Sequence, residues 1–314
     1  MNICDKNFKK EFRIGNATVG TVGYGFIGNA VVELFREHCR VIVYDKSGYK
    51  DKQDLQNVIK ADSIDSLVRS CEVIFVAVPT PMEKDGKCHT GIVESVIQDI
   101  QNAAIKNSID VNNFIVVIKS TVPPGFTESM KTKYALRIMF SPEFLTEANA
   151  VNDFKSATRV ILGGDLEDAQ VVYKYFEGVW PSRQLNTYTD HHDGPVQILN
   201  TSSTEAEITK LFTNALLASK VMISNEIYSL CQNSGADYDS VKLLTQLDKR
   251  IGFSHMNVPG PDGSLGYGGH CFVKDVQNLA YLCGQESLFK SLHERNLQLR
   301  DNRDWEEMSG RAVI

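Results

Sequence analysis

Apolar positions follow two rhythms along this chain. Before residue 200, short runs that read as buried strands recur at 18–22, 40–44, 73–78, 114–118, 137–140 and 158–164, apolar throughout at 73–78 and 114–118. A run without alternation is what a strand buried on both faces requires. Between the runs the spacing turns helical: at Val31, Val32, Leu34 and Phe35, over about 91–105, and over about 167–176. A strand near 184–188 closes this region. Strands alternating with helices predict an α/β sheet. After 200 the pattern is helical. Thr204 and Glu207 have the spacing of a capping box, a helical pattern runs on to about Cys231, and Gly235 suits a stop. Roughly 28 residues at about 1.5 Å each give about 42 Å, long enough for an interdomain strut or a dimer contact. Further helices are expected around 237–250 and over about 275–300, before a charged tail with few apolar residues. The chain thus divides into 1–200 and 201–314.

Composition narrows the class. With 314 residues, 42% of them hydrophobic, there is room for two or three cored domains. A formal net charge of −6 argues against a nucleic-acid or anionic-membrane partner. No apolar run is long enough to span a bilayer, and residues 1–13 lack the apolar core of a signal peptide. The seven cysteines are scattered and form no CxxC pair. That suits a reducing, cytoplasmic compartment and disfavours a disulfide framework or a zinc site. The glycosylation sequons at Asn16 and Asn200 then read as chance matches. His191 and His192 lack a spaced third partner, so no metal site is expected.

The first candidate chemistry follows the first strand. Gly23-Tyr24-Gly25-Phe26-Ile27-Gly28 is a GxGxxG turn between strand and helix, and Asp45 ends the next strand about 20 positions on. Gly23 makes the turn, Gly25 lets a pyrophosphate approach the backbone, and Gly28 lets helix and strand pack closely. The helix N-terminus presents N–H groups to phosphates. Asp45 accepts hydrogen bonds from ribose hydroxyls and repels a 2′-phosphate, which favours NAD over NADP, although Lys46 weakens that preference. The expected architecture is a Rossmann-type doubly wound sheet followed by a smaller all-helical domain with a long central helix.

Later polar segments, at Pro79-Thr80-Pro81, 119–125 and 141–147, also end strands, where open α/β sheets bind ligands. Thr80, Thr121 and Glu147 are singly ordinary turn residues, and their shared location is what points to a ligand. Glu143 and Glu147 share a face if their segment is helical, either as a solvated acidic face or as an acid–base group. Lys210 and Asn214, at i and i+4, form either a polar stripe or an oxyanion site. The densest stretch is Gly266-Tyr267-Gly268-Gly269-His270-Cys271-Phe272-Val273-Lys274-Asp275. It reads either as a tight turn with a buried structural cysteine or as a nucleophilic thiol beside a cation.

Taken together and in order, these motifs resemble the UDP-glucose/GDP-mannose dehydrogenase family over about 20–280. The carriers are Gly23–Gly28, Val78–Pro81, Lys119–Gly125, Ser141–Glu147, Glu207 with Lys210 and Asn214, Asn225-Glu226, Arg250-Ile251-Gly252 and Gly266–Asp275. The Ser-Pro-Glu-Phe-Leu form is closer to glucose and mannose members than to amino-sugar members. The resemblance implies NAD-dependent four-electron oxidation of a nucleotide sugar's C6 alcohol to a carboxylate. UDP-glucose is the leading substrate. GDP-mannose, another nucleotide sugar, or a non-catalytic NAD-binding remnant or partner subunit are the alternatives. It also implies a homodimer.

By resemblance, Cys271 is the nucleophile, forming a thiohemiacetal and then a thioester, and Lys210 stabilises oxyanions. Asp275 and Thr121 hold a water, Glu147 is base toward the hydrolytic water, and Asn214 and Lys274 position the sugar or the loop. Arg250 reaches a neighbouring subunit's substrate. Pro79, Thr80, Ser120, Thr121, Glu147 and Lys274 join Gly23, Gly25, Phe26, Ile27, Gly28 and Asp45 around the cofactor. Glu143, Phe144, Leu145, Tyr267 and Gly268 join Lys210, Asn214 and Arg250 around the substrate. His270, where the family usually has a small residue, is expected as an exposed loop histidine, and Val273 replaces a usual proline. Most members continue into a second Rossmann-like domain that binds the nucleotide. Shorter members carry a run like Pro259–Gly263, so a short form is expected.

Overall fold

The computed structural model describes residues 15, 17–49, 55–180, 196–284 and 286–314, and the backbone of 185–186. The Asn16 sequon and the His191-His192 pair lie outside the described residues. The chain forms two compact units. The first takes the described residues of Met1–Val78, Val93–Ser120 and Pro124–Glu207, and the second takes those of Pro79–Ile92, Thr121–Pro123 and Ile208–Ile314.

The first unit is built on one sheet. Its strands are β1 (Thr18–Val22), β2 (Arg40–Tyr44), β3 (Val58–Lys60), β4 (Val73–Val76), β5 (Ile115–Ile118), β6 (Ile138–Phe140), β7 (Arg159–Gly163), β8 (Leu185–Asn186) and β9 (Gln197–Thr201). They lie in the order β3-β2-β1-β4-β5-β6-β7-β9-β8. Every pairing is parallel except β6 with β7. The first six follow the order 3-2-1-4-5-6 of a doubly wound dinucleotide-binding sheet, whose switch point lies between β1 and β4. All four residues of β4 and of β5 are buried, as their unbroken apolar runs require.

Helices α1 (Phe26–Phe35), α2 (Asp65–Ser70), α3 (Gly91–Lys106), α4 (Phe126–Tyr134), α5 (Ala150–Lys155) and α6 (Leu166–Val179) connect the strands. The ring of Phe35 on α1 stacks on Phe75 at 5.6 Å and tilts against Phe176 at 5.4 Å, so two helices and the sheet share one aromatic core. Sequence spacing does not announce β3, β9, α2, α4 or α5. Each is short, and polar residues such as Gln197 and Asn200 interrupt the apolar run of β9.

Helix α7 (Ser203–Ser234) is 32 residues long. Its capping box lies two positions ahead of the one expected. The Glu205 carboxylate accepts from Ser202 N at 3.0 Å, and Ser202 Oγ accepts from Glu205 N at 3.2 Å. Thr204 is inside the helix, and Glu207 serves another element. Gly235, at φ +72°, ends α7 as expected.

In the second unit α8 (Tyr238–Gln246) is capped by Asp237, which accepts from Ser240 N at 2.9 Å. The single helix expected over 275–300 is two: α9 (His270–Cys283) and α10 (Leu288–Leu299), broken at Gly284 with φ +94°. Helix α9 also starts earlier than expected, so His270 and Cys271 are helical, and His270 is buried rather than an exposed loop residue. The charged tail is not free either. Trp305 and Ala312 are buried in a core with Met82, Ala218, Met222, Tyr267, Val273 and Val276. Met82 N donates to Ala312 O at 2.8 Å. Two apolar side chains, correctly spaced for this core, outweigh the local charge. Among the described residues no helix is long and apolar enough to cross a membrane.

Candidate active site

In the first unit the glycine turn sits at the carboxyl end of β1, at the switch point. Gly23 has φ +95°, and a Cβ there would lie 2.3 Å from Ala77 O. A Cβ on Gly28 would lie 2.0 Å from Gly23 O. Only glycine fits at either position. Gly25 differs: nothing lies within 4 Å of its Cβ position. It is the N-cap of α1, and no side chain caps that helix end. Open space before helix N–H groups is the cradle a pyrophosphate needs. Phe26 and Ile27 form the first turn and are half-buried. Asp45 Oδ2 accepts from Tyr24 N at 2.6 Å and Oδ1 from Ser47 N at 2.7 Å. The carboxylate therefore braces the turn, and each oxygen keeps a second acceptor site for a ribose hydroxyl. These residues fit a dinucleotide.

Other candidates in this unit have structural employment. Ser120 Oγ donates to Val78 O at 2.7 Å and accepts from Val78 N at 2.9 Å, tying the ends of β4 and β5 together. Lys119, also buried, donates to Ser141 Oγ at 3.3 Å and Pro142 O at 3.2 Å. Glu143 and Glu147 do not share a helix face. The chain is irregular from 141 to 146, and Glu147 opens a 3₁₀ turn, Glu147–Asn149. Glu143 is buried, with Leu145 N donating to its carboxylate at 2.7 Å, whereas Glu147 is exposed. The ring of Phe144 lies 4.2 Å from the Arg159 guanidinium, and Leu145 is half-buried.

In the second unit, polar side chains gather out of water. Lys210 and Asn214, one turn apart on α7, are both buried, so they are not a solvated stripe. Asn214 Nδ2 donates to Asp275 Oδ2 at 2.6 Å, and Lys274 Nζ pairs with Asp275 Oδ1 at 2.7 Å. Burial alone would lower the Lys274 pKa, but Asp275, with the nearby thiols of Cys88 and Cys271, outweighs it and raises it. Lys274 is a cation at neutral pH. Cys271 is half-buried in the first turn of α9, after Gly269 at φ +67° as N-cap. Helix N-termini and neighbouring cations are the surroundings in which thiols ionise.

Thr80 and Thr121 are buried in the same unit and Pro79 is exposed. Tyr267 is buried, and Gly268 packs against Arg300, which would lie 2.0 Å from a Cβ there. Arg250 stands outside this network. Its side chain is 88% exposed and pairs with Asp248.

Sequence reasoning passed over Cys88 and gave Glu207 to the wrong helix. Cys88 is buried, its Sγ donates to Thr121 O at 3.7 Å, and its N donates to Asn278 Oδ1 at 3.3 Å. Burial raises its thiol pKa, with Lys274 pulling the other way. Glu207 accepts from Gly125 N at 2.6 Å, Thr127 N at 2.9 Å and Thr127 Oγ1 at 2.6 Å, capping α4 from the first turn of α7. No local signal marks Cys88 or the α4-capping role of Glu207, because their partners are 33 to 190 positions away.

Residues 49–177 match the UDP-glucose/GDP-mannose dehydrogenase family, NAD binding domain, and residues 204–299 match that family's central domain. The first match bears out NAD as the cofactor. UDP-glucose 6-dehydrogenase of Mus musculus is 33% identical over 238 residues, covering 73% of this chain and 45% of that protein. The chain thus spans about half the length of that relative. UDP-glucose 6-dehydrogenase of Streptococcus pneumoniae is 31% identical over 283 residues, covering 83% of this chain and 67% of that protein. A UDP-glucose dehydrogenase from the hyperthermophilic archaeon Pyrobaculum islandicum superposes with a TM-score of 0.70 at 25% identity, over 91% of this chain and 68% of that one. With both family domains matched in order on a doubly wound sheet and a helical unit, the chain belongs to the UDP-glucose/GDP-mannose dehydrogenase family.

Proposed function

We propose that this chain is an NAD-dependent UDP-glucose 6-dehydrogenase of the cytoplasm. Residues 1–200 act as the NAD-binding domain, and 201–314 as the central domain carrying the nucleophile. The observation that carries the reading is the buried Asn214–Asp275–Lys274 network beside Cys271 in the first turn of α9. Paired buried charges next to a helix N-terminal thiol are costly to keep for stability alone, and they suit nucleophilic chemistry.

The Gly23–Gly28 cradle would hold NAD+, two molecules of which, bound in turn, would supply the acceptor for one hydride each, and Asp45 would select it over NADP+. Pro79, Thr80, Ser120, Thr121, Glu147 and Lys274 complete its surroundings. Glu143, Phe144, Leu145, Tyr267 and Gly268 contribute to the sugar-nucleotide site. Loss of a hydride and the hydroxyl proton turns the C6 alcohol into an aldehyde, with Asp275 and Thr121 holding the water that takes the proton. The Cys271 thiolate then forms a C–S bond at C6, leaving a thiohemiacetal oxyanion that the Lys210 ammonium stabilises. Loss of the second hydride from C6 gives the thioester. Water, activated by Glu147, breaks the C–S bond, releasing the carboxylate and restoring the thiol. Asn214 and Lys274 hold Asp275 in place.

The working form is a homodimer. Ile208, Phe212, Leu216, Ile223, Ile227 and Leu230 form one stripe on α7 at helical spacing, each between 38% and 63% exposed. A second copy covering the stripe removes it from water, and Arg250 then serves the partner's substrate.

The test is NADH formation across a panel of nucleotide sugars. UDP-glucose is expected to give two NADH per carboxylate formed. Turnover of GDP-mannose alone changes the substrate, and no turnover with any sugar sinks the enzymatic reading. Cys271→Ser is expected to lose steady-state turnover, because serine stays protonated without an activating base, while NAD+ still binds.

A further inference from the structure

The backbone ahead of Cys271 is held by Asn225 of α7, whose Oδ1 accepts from Gly266 N at 3.1 Å, and otherwise by side chains from later in the second unit. Asn296, fully buried, turns both halves of its amide on Tyr267: Oδ1 accepts from Tyr267 N at 2.8 Å and Nδ2 donates to Tyr267 O at 2.9 Å. The Asp304 carboxylate accepts from Gly269 N at 3.1 Å. Arg300, with a side chain only 1% exposed, pairs with Asp262 and reaches Asp304 at 3.4 Å and Leu265 O at 3.4 Å. The Asp262 carboxyl is held below its usual range: burial alone would raise it, and the Arg300 hydrogen bond outweighs that.

This grip explains the glycines differently from ligand approach. A Cβ on Gly266 would lie 2.3 Å from Asn296 Oδ1, and one on Gly268 would lie 2.0 Å from Arg300. Those two glycines make room for the grip. Gly269 alone faces open space and starts α9.

We propose that Asn296, Arg300 and Asp304 are positioning residues for the nucleophile, clamping 265–269 so that α9 begins at His270 and Cys271 stands in its first turn. This rests on reading Cys271 as the nucleophile. Asp304 is the most direct member. Its carboxylate holds the N–H of the N-cap residue, whose left-handed backbone is otherwise free to relax and fray the turn.

The test compares Asp304→Ala, Asp304→Asn and, as an exposed neighbour, Asp301→Ala. Iodoacetamide labelling rates at Cys271 are read by peptide mass mapping against Cys283, an exposed thiol in the same chain. Asp304→Ala is expected to lower the Cys271-to-Cys283 rate ratio by about tenfold as the helix-terminal N–H groups move off the thiol. It should lower kcat similarly while KM for NAD+ holds within about twofold. Asp304→Asn keeps an acceptor for Gly269 N and should retain most of the ratio, as should Asp301→Ala. A role in stability alone predicts no rescue by asparagine beyond recovery of Tm. An Asp304→Ala ratio equal to or above wild type overturns the clamp. Labelling needs no substrate, so a wild-type chain inert to every nucleotide sugar sinks the proposed activity separately from the clamp. Arg300→Met is the harsher variant. If it fails to fold, the Asp304 pair still decides.

Discussion

Asp275 receives an amide N–H from Asn214 and an ammonium from Lys274, all three buried. Removing one charge of a buried pair costs about 3–5 kcal/mol, because the other is left uncompensated. Asp275→Asn is therefore expected to lower Tm by several degrees and abolish turnover. Asp248→Asn breaks the exposed pair with Arg250 and should leave Tm unchanged; parallel melting curves for both variants would refute the distinction. His293 on α10 sets an acid limit. Burial, reinforced by Lys290, lowers its pKa to about 4 from the ordinary 6.5, and its Nδ1 has no partner. The folded state favours neutral imidazole, so this stability is complete above pH 6.5 and lost as pH falls toward 4. At about 1.4 kcal/mol per unit, the loss is on the order of 3–4 kcal/mol. Urea unfolding at a series of pH values should show this slope in the wild type and not in His293→Gln; matching slopes would remove His293 from the account.

Among the elements, the β1–α1 turn separates folding from function within six residues. A Cβ at Gly28 meets Gly23 O at 2.0 Å, whereas a Cβ at Gly25 meets nothing within 4 Å. Gly28→Ala should cost about 1–3 kcal/mol by overpacking. Gly25→Ala should keep the wild-type Tm but weaken NAD+ at least about tenfold by calorimetry, because the methyl fills the phosphate cradle. Unchanged affinity in a folded Gly25→Ala protein would place the cofactor elsewhere. At the start of α7 two serine or threonine to glutamate spacings compete. Ser202 with Glu205 caps the helix, while Glu207 caps α4. The motif is local, but the competitor for Glu207 is an N-terminus 80 residues earlier.

On the scale of the whole molecule, association is the property to measure. With α7's stripe covered, light scattering should give twice the 35.0 kDa chain mass. Leu216→Glu combined with Ile223→Glu should return the single-chain mass, since each charge would have to be buried against apolar surface. A wild-type monomer at micromolar concentration would remove the dimer. Mixing inactive Arg250→Ala and Cys271→Ala chains should restore part of the turnover if Arg250 completes its partner's site. With chain exchange demonstrated, absence of recovery at every ratio would confine each site to one chain.

Sequence alone determined what depends on neighbours within about twenty residues. The unbroken apolar runs specify buried parallel strands, GxGxxG with Asp45 specifies the turn at the switch point, and Gly235 specifies the end of α7. Their signals are backbone geometry and periodicity, which are written locally. Tertiary structure decided whatever depends on partners far along the chain. Lys210 and Asn214 look alike on the helix whether solvated or buried, and only the return of α9 makes Asn214 a ligand of Asp275. The cysteine stretch reads as a loop because its glycines dominate. It becomes a helix start because Asn296 and Asp304, from 29 to 35 positions later, satisfy its backbone. The tail reads as charged with few apolar residues, yet Trp305 and Ala312 find an apolar core beside Met82. Burial and hydrogen-bond pairing are properties of the folded chain, so local spacing cannot assign them.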